Sequence, residues 1–141
     1  MFNVDLDTMN ITMHRGDTGS FKAKLTRESG TEWTSADRAL FTIRNQQGEI
    51  VLQRIYRLDD QWDLGDGVIL VEFHNDDTDT WDVGSYNVEL RADVDPIWDG
   101  TAPTSRVYDA MSEDAPRMVE GSIVRTVIQS TLTITGVLGD I

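Results

Sequence analysis

Apolar and polar side chains alternate along most of this chain with a period of two, the mark of strands that bury one face and wet the other. Phe21, Ala23 and Leu25 alternate with Ser20, Lys22, Lys24 and Thr26, and Met9, Ile11 and Met13 alternate with Asn10, Thr12 and His14. The same rhythm predicts strands at Ala39, Phe41 and Ile43, over 50–58, at Ile69, Val71 and Phe73, at Tyr86, Val88, Leu90 and Ala92, and over 122–135. Turn-forming clusters separate them, at 15–19, 27–36, 59–67 and 75–84. Nowhere does an apolar period of about 3.6 residues persist over three turns, so no long helix is expected. Seven such strands at this spacing read as an all-β domain, an immunoglobulin-like antiparallel sandwich spanning residues 1–141.

Residues 94–121 break the rhythm. They hold all three prolines, Pro96, Pro103 and Pro116, and they carry Trp98, Tyr108, Met111 and Met118. The segment reads as a long loop between the last two strands, which should be neighbours in one sheet and need only about two to five residues to connect. Prolines favour extended segments suited to lying along another surface. The segment is therefore expected to be an assembly arm, with Trp98, Tyr108, Met111 and Met118 as partner-binding residues. Trp98 leads that list, because tryptophan is enriched at interface hot spots. Trp33, Trp62 and Trp81 also fall in turns, where they are expected to fold back over the ends of the sandwich.

At 141 residues the chain can bury roughly two-thirds of its extended surface, so a core is available without staples. With no cysteine there is no disulfide framework. Met1 to Asp7 lacks the basic and apolar regions of a signal peptide, and no apolar run approaches about 18 residues, so production in a reducing cytoplasm and no membrane span are expected. The formal net charge of −13 argues against a general nucleic-acid binder, since phosphate recognition needs a basic surface.

Asp82-Val83-Gly84-Ser85-Tyr86 has the spacing of a tyrosine corner, in which the tyrosine hydroxyl bonds to backbone just upstream and pins the entry to the sixth strand. Asp82 and Gly84 are expected to shape the turn, Asp82 through a local side-chain bond. Val88 stands where antibody domains place a cysteine. Gly16-Asp17-Thr18 ahead of a strand, Ala39 to Ile43, Gly48 at a hairpin, Asp77-Thr78 and Gly84-Ser85-Tyr86 together resemble the immunoglobulin-like domain of phage baseplate upper proteins. Similar domains occur in prophage structural proteins of low-GC Gram-positive bacteria. The resemblance covers roughly residues 8–93, and the proline-bearing segment departs from it. It implies a virion tail or baseplate subunit, made in the bacterial host cytoplasm, that contacts other phage structural proteins or itself.

Other motifs admit plain structural roles. Asp17-Thr18-Gly19 has the form of an aspartic-protease loop, which in a homodimer would share one proton between two carboxylates. Arg15 beside it would depress both pKa values and oppose that sharing, and Ile134-Thr135-Gly136 matches the family's second signature only weakly. Arg15-Gly16-Asp17 spells an adhesion tripeptide, and Asn10-Ile11-Thr12 a glycosylation sequon inside a strand. The carboxylates at Asp59, Asp60, Asp63 and Asp66 and at Asp76, Asp77, Asp79 and Asp82 lack the loop spacing that gathers the about six to eight oxygens calcium requires. His14 and His74 fall on outward faces, and zinc would need further ligands. No phosphate cradle and no nucleophile elbow is present. No catalytic residue, metal or cofactor is assigned. Three readings remain: a phage structural subunit, a bacterial cell-surface module that binds sugar or protein, and an acid protease using Asp17.

Overall fold

The structure is a computed structural model that describes residues 2–5, 7–27, 32–59, 64–119 and 123–136, with backbone alone for 123–127. Half of the residues lie in strands and 3% in helix, so the chain is all-β. In chain order the elements are β1 (Asn3–Val4), β2 (Ile11–His14), β3 (Gly19–Lys24), β4 (Arg38–Arg44), β5 (Ile50–Arg57), β6 (Val68–Phe73), α1 (Asn75–Thr78), β7 (Gly84–Val94), β8 (Trp98–Asp99), β9 (Val107–Asp109), β10 (Arg117–Met118) and β11 (Ile123–Thr135). Each strand expected from the alternation is present. Ser122, Trp62, Asp60 and Asp63 lie outside the described residues.

Seven strands form one curled mixed sheet in the order β1-β2-β11-β7-β4-β5-β9. Its neighbours are antiparallel except β2 and β11, which run parallel with Ile11 opposite Leu132 and Met13 opposite Ile134. β3 and β6 make a separate antiparallel pair, Phe21 opposite Val71 and Ala23 opposite Ile69. The pair turns its apolar face onto the large sheet. Phe41 of β4 meets Phe21 and Phe73 edge-on, with ring centroids 6.4 and 6.2 Å apart. Around these rings gather Ile11, Met13, Ala39, Ile43, Val88, Leu90, Leu132 and Ile134. Alternation places every one of these side chains on the same face of its strand.

Arginines join the two layers at one edge. Arg54 of β5 donates to the Glu72 carbonyl of β6 and pairs with Asp77 of α1 at 2.7 Å. Arg106 reaches the Glu72 carboxylate at 3.2 Å. Gly67, just before β6, is held at φ +75, and a Cβ there would collide with the Leu25 carbonyl oxygen and the Trp33 ring. That close approach lets the Trp33 indole N–H donate to the Leu25 carbonyl at 2.8 Å, which buries the ring as part of the core.

β4 departs from simple alternation. Ala39, Phe41 and Ile43 face the core, yet Arg38, Leu40 and Thr42 on the opposite face are buried as well. Leu40 pairs with Ile55 of β5, Ile55 pairs in turn with Tyr108 of β9, and Arg38 lies opposite Asp93 of β7. The large sheet thus has a second covered face.

Candidate functional site

Residues 95–119 meet that second face at Arg38 and Arg57. The segment expected to be a long loop contains the short strands β8, β9 and β10. β9 extends the large sheet beyond β5, while β8 and β10 form a small antiparallel ribbon with Trp98 opposite Met118. Once Ile55 and Leu40 put apolar surface on the outer face, the segment has something to pack on, and its prolines interrupt the strands without forbidding them.

Buried charged side chains fasten this flap. At its start, the Asp37 carboxylate accepts from the Asp95 N–H at 2.9 Å, holding Asp95 at φ +44, a conformation few residues other than glycine adopt. Further along, the Arg38 guanidinium donates to the Pro103 carbonyl at 2.8 Å and lies 5.7 Å from the Trp98 ring centroid, a cation–π arrangement. Arg57 donates to the Thr104 carbonyl at 3.2 Å while Asp59 grips its other edge at 2.8 and 2.7 Å. The Tyr108 hydroxyl donates to the Pro116 carbonyl at 3.0 Å. Burial pushes the Tyr108 pKa up to about 12, against the pull of Arg38.

Of the four residues assigned to partner binding, Trp98, Tyr108 and Met118 are half-buried, with Trp98 and Tyr108 engaged inside the molecule, and Met111 is exposed at the turn after β9. The outward side of the ribbon belongs to residues the sequence reading did not single out. Val119 donates its N–H to the Ile97 carbonyl at 2.9 Å, and both side chains are exposed, Ile97 at 55% and Val119 at 37%. The overlooked signal was local: in a ribbon where Trp98 and Met118 face inward, their sequence neighbours must face out.

At the far end of the sheet, the Tyr86 hydroxyl donates to the Asp82 carbonyl at 2.6 Å. Asp82 takes part through its backbone rather than the side-chain bond expected of it. Gly84 sits at φ +147, which an L side chain tolerates poorly. Trp81 leans on the Tyr86 ring, centroids 5.1 Å apart. Together with the β4–β5 turn they border an open groove of about 380 Å³ lined by Gln46, Gln47, Trp81, Asp82, Val83 and Ser85, among others.

The remaining motifs have structural employment. The Asp17 carboxylate accepts the His14 N–H at 2.9 Å and closes the turn between β2 and β3. His14 Nδ1 lies 2.7 Å from the Gly136 carbonyl and 2.8 Å from the Thr135 hydroxyl. The Asp77 carboxylate accepts the His74 N–H at 2.7 Å, and the Asp66 carboxylate accepts the Trp33 N–H at 3.1 Å. Among the described residues, no three His, Asp or Glu side chains converge as metal ligands, and no helix is long and apolar enough to cross a membrane. Comparison with known proteins returns no matching family model, no matching curated protein and no matching solved structure.

Proposed function

We propose that this chain is an immunoglobulin-like β-sandwich that serves as a non-catalytic structural subunit of a phage or prophage particle, in its tail or baseplate. The topology supports the fold. In the variable-type immunoglobulin arrangement, strands C, F and G share a sheet that C′ extends, while B and E lie in the opposite sheet. The order β11-β7-β4-β5 in the large sheet, with β3 and β6 paired apart from it, is consistent with that arrangement. The Tyr86 bond to Asp82 stands at the entry to β7, where that fold puts its tyrosine corner.

The observation that carries the functional reading is the outer surface of the flap. Among the described residues, four large apolar side chains are exposed, and three of them, Ile97, Met111 and Val119, lie on the flap. A chain of net charge −13 that keeps such side chains in water is suited to contact with another protein. The bonds that tie the flap to Asp37, Arg38 and Arg57 reduce the ordering entropy lost when it docks. The expected partners are other phage structural proteins or further copies of the chain.

Quantitative mass spectrometry of purified particles, produced from the genome that encodes this chain, tests the reading. A fixed copy number per particle that survives density-gradient purification is expected. Complete recovery in the soluble fraction, with none in particles, would overturn it.

A further inference from the structure

The groove beside the tyrosine corner has no part in the assembly reading, and its chemistry differs from that of the flap. We infer that it is a binding site for a neutral saccharide. Its volume of about 380 Å³ falls at the lower end of the range of small-ligand sites, about 300–1,000 Å³. Apolar surface comes from the half-buried Trp81 ring, Val51 and the exposed Val83. Around it stand exposed polar groups: the side-chain amides of Gln46 and Gln47, the Asp82 carboxylate, and the Thr80 and Ser85 hydroxyls. By contrast the Asn45 amide is spent on its own turn, accepting from the Gln47 and Glu49 N–H groups at 3.0 and 2.9 Å.

This combination suits a pyranose. An aromatic ring covers the apolar C–H face of the sugar. Planar amides and a carboxylate each offer two adjacent hydrogen-bonding atoms, the spacing that neighbouring hydroxyls require. Among the described residues, the lining contains no Lys, Arg or His, and its one charged side chain, Asp82, is negative. Phosphorylated and carboxylated sugars are therefore disfavoured, and the class is narrowed to neutral sugars and N-acetylated amino sugars.

The site is also built firmly on one side. Tyr86 is fixed by its bond to Asp82 and supports Trp81, so the ring is set before any ligand arrives. The amides sit on an exposed turn and must be ordered on binding, which sets affinity in the range of about 1 mM.

The test is a ¹⁵N-resolved NMR titration of the whole chain with methyl β-glucoside, methyl β-galactoside, N-acetylglucosamine and glucose 6-phosphate, each to about 100 mM. Saturable shifts confined to the Gln46 and Gln47 amides, the Trp81 indole and Ser85 are expected from at least one neutral sugar. Glucose 6-phosphate should bind at least about fivefold more weakly than that sugar. Gln46→Ala with Gln47→Ala, both at the exposed turn, should weaken binding about tenfold or more with the melting temperature unchanged, and Trp81→Ala should abolish it. Absence of saturable shifts from all neutral sugars, shifts centred elsewhere, or preference for the phosphate would overturn the inference. So would concentration-dependent shifts of the same residues without sugar, which would assign the groove to a second copy. None of these outcomes bears on whether the chain is found in particles.

Discussion

Asp37 and Asp93 are both buried carboxylates, and their partners differ completely. Asp37 accepts from the Asp95 and Thr34 N–H groups at 2.9 and 2.8 Å and lies 3.8 Å from the Arg27 guanidinium. Among the described residues neither oxygen of Asp93 has a hydrogen bond, and Arg91 is 3.4 Å away with a Nε–H that is itself unbonded. Burial raises the Asp93 pKa, with Arg91 pulling it down and Glu89 pushing it up. Above that raised pKa the fold holds a charge that the unfolded chain solvates better, so this contribution to stability is lost as pH rises through it. Asp37→Ala should therefore cost about 3 kcal/mol or more at pH 7, whereas Asp93→Asn should cost nothing or add up to about 1 kcal/mol. Urea unfolding of the two variants checks the contrast, and equal losses would refute it. Tyr86 offers a simpler case, since Tyr86→Phe removes the bond to the Asp82 carbonyl and should cost about 0.5–1.5 kcal/mol. A change within a few tenths would leave the corner without energetic weight.

At the scale of elements, β4 shows which features were legible in the sequence. Ala39, Phe41 and Ile43 announced one buried face, and the seven main strands followed from patterns of that kind. Leu40 and Ile55 stand out of phase with that alternation, and this was the available sign of a second covered face. What covers them was not legible, because β8, β9 and β10 are two or three residues long and owe their pairing to the sheet beneath. The parallel alignment of β2 with β11 was equally hidden, since a periodic pattern carries no information on direction. The tyrosine corner was legible because its residues are local. Replacing 95–119 with a Gly-Asn-Gly turn tests the role of the flap. It would uncover Leu40 and Ile55 and remove the Pro103 and Thr104 carbonyls that Arg38 and Arg57 bind, a loss of up to about 3–6 kcal/mol from the apolar side chains alone. The shorter connection recovers little, because loop entropy grows slowly with length. A guanidinium unfolding midpoint equal to that of the intact chain would show that the flap does not support the sheet.

For the molecule as a whole, alkaline pH probes both covered faces at once. Tyr56 lies in the core and Tyr108 within the flap, and burial pushes each to about 12, opposed by Arg54 and Arg106 at the first and Arg38 at the second. Burial, with Asp82 assisting, also raises Tyr86. Unfolded tyrosines titrate near about 10, so the stability these groups contribute is complete below that pH and is lost as pH rises toward about 12. Phenolate absorbance should lag behind that of free tyrosine until circular dichroism reports unfolding. Ionisation of all three near pH 10 with the native spectrum intact would contradict the burial described here. The assembly reading makes its own demand, because the flap must be fastened inward by Arg38, Arg57 and Tyr108 while its outer side meets a partner. The most direct measurement is incorporation of an Ile97→Asp, Val119→Asp double variant into particles, supplied in place of the original chain. Both side chains are exposed, so the variant should melt within a few degrees of the original and yet be lost from purified particles. Incorporation at the original copy number would contradict the account.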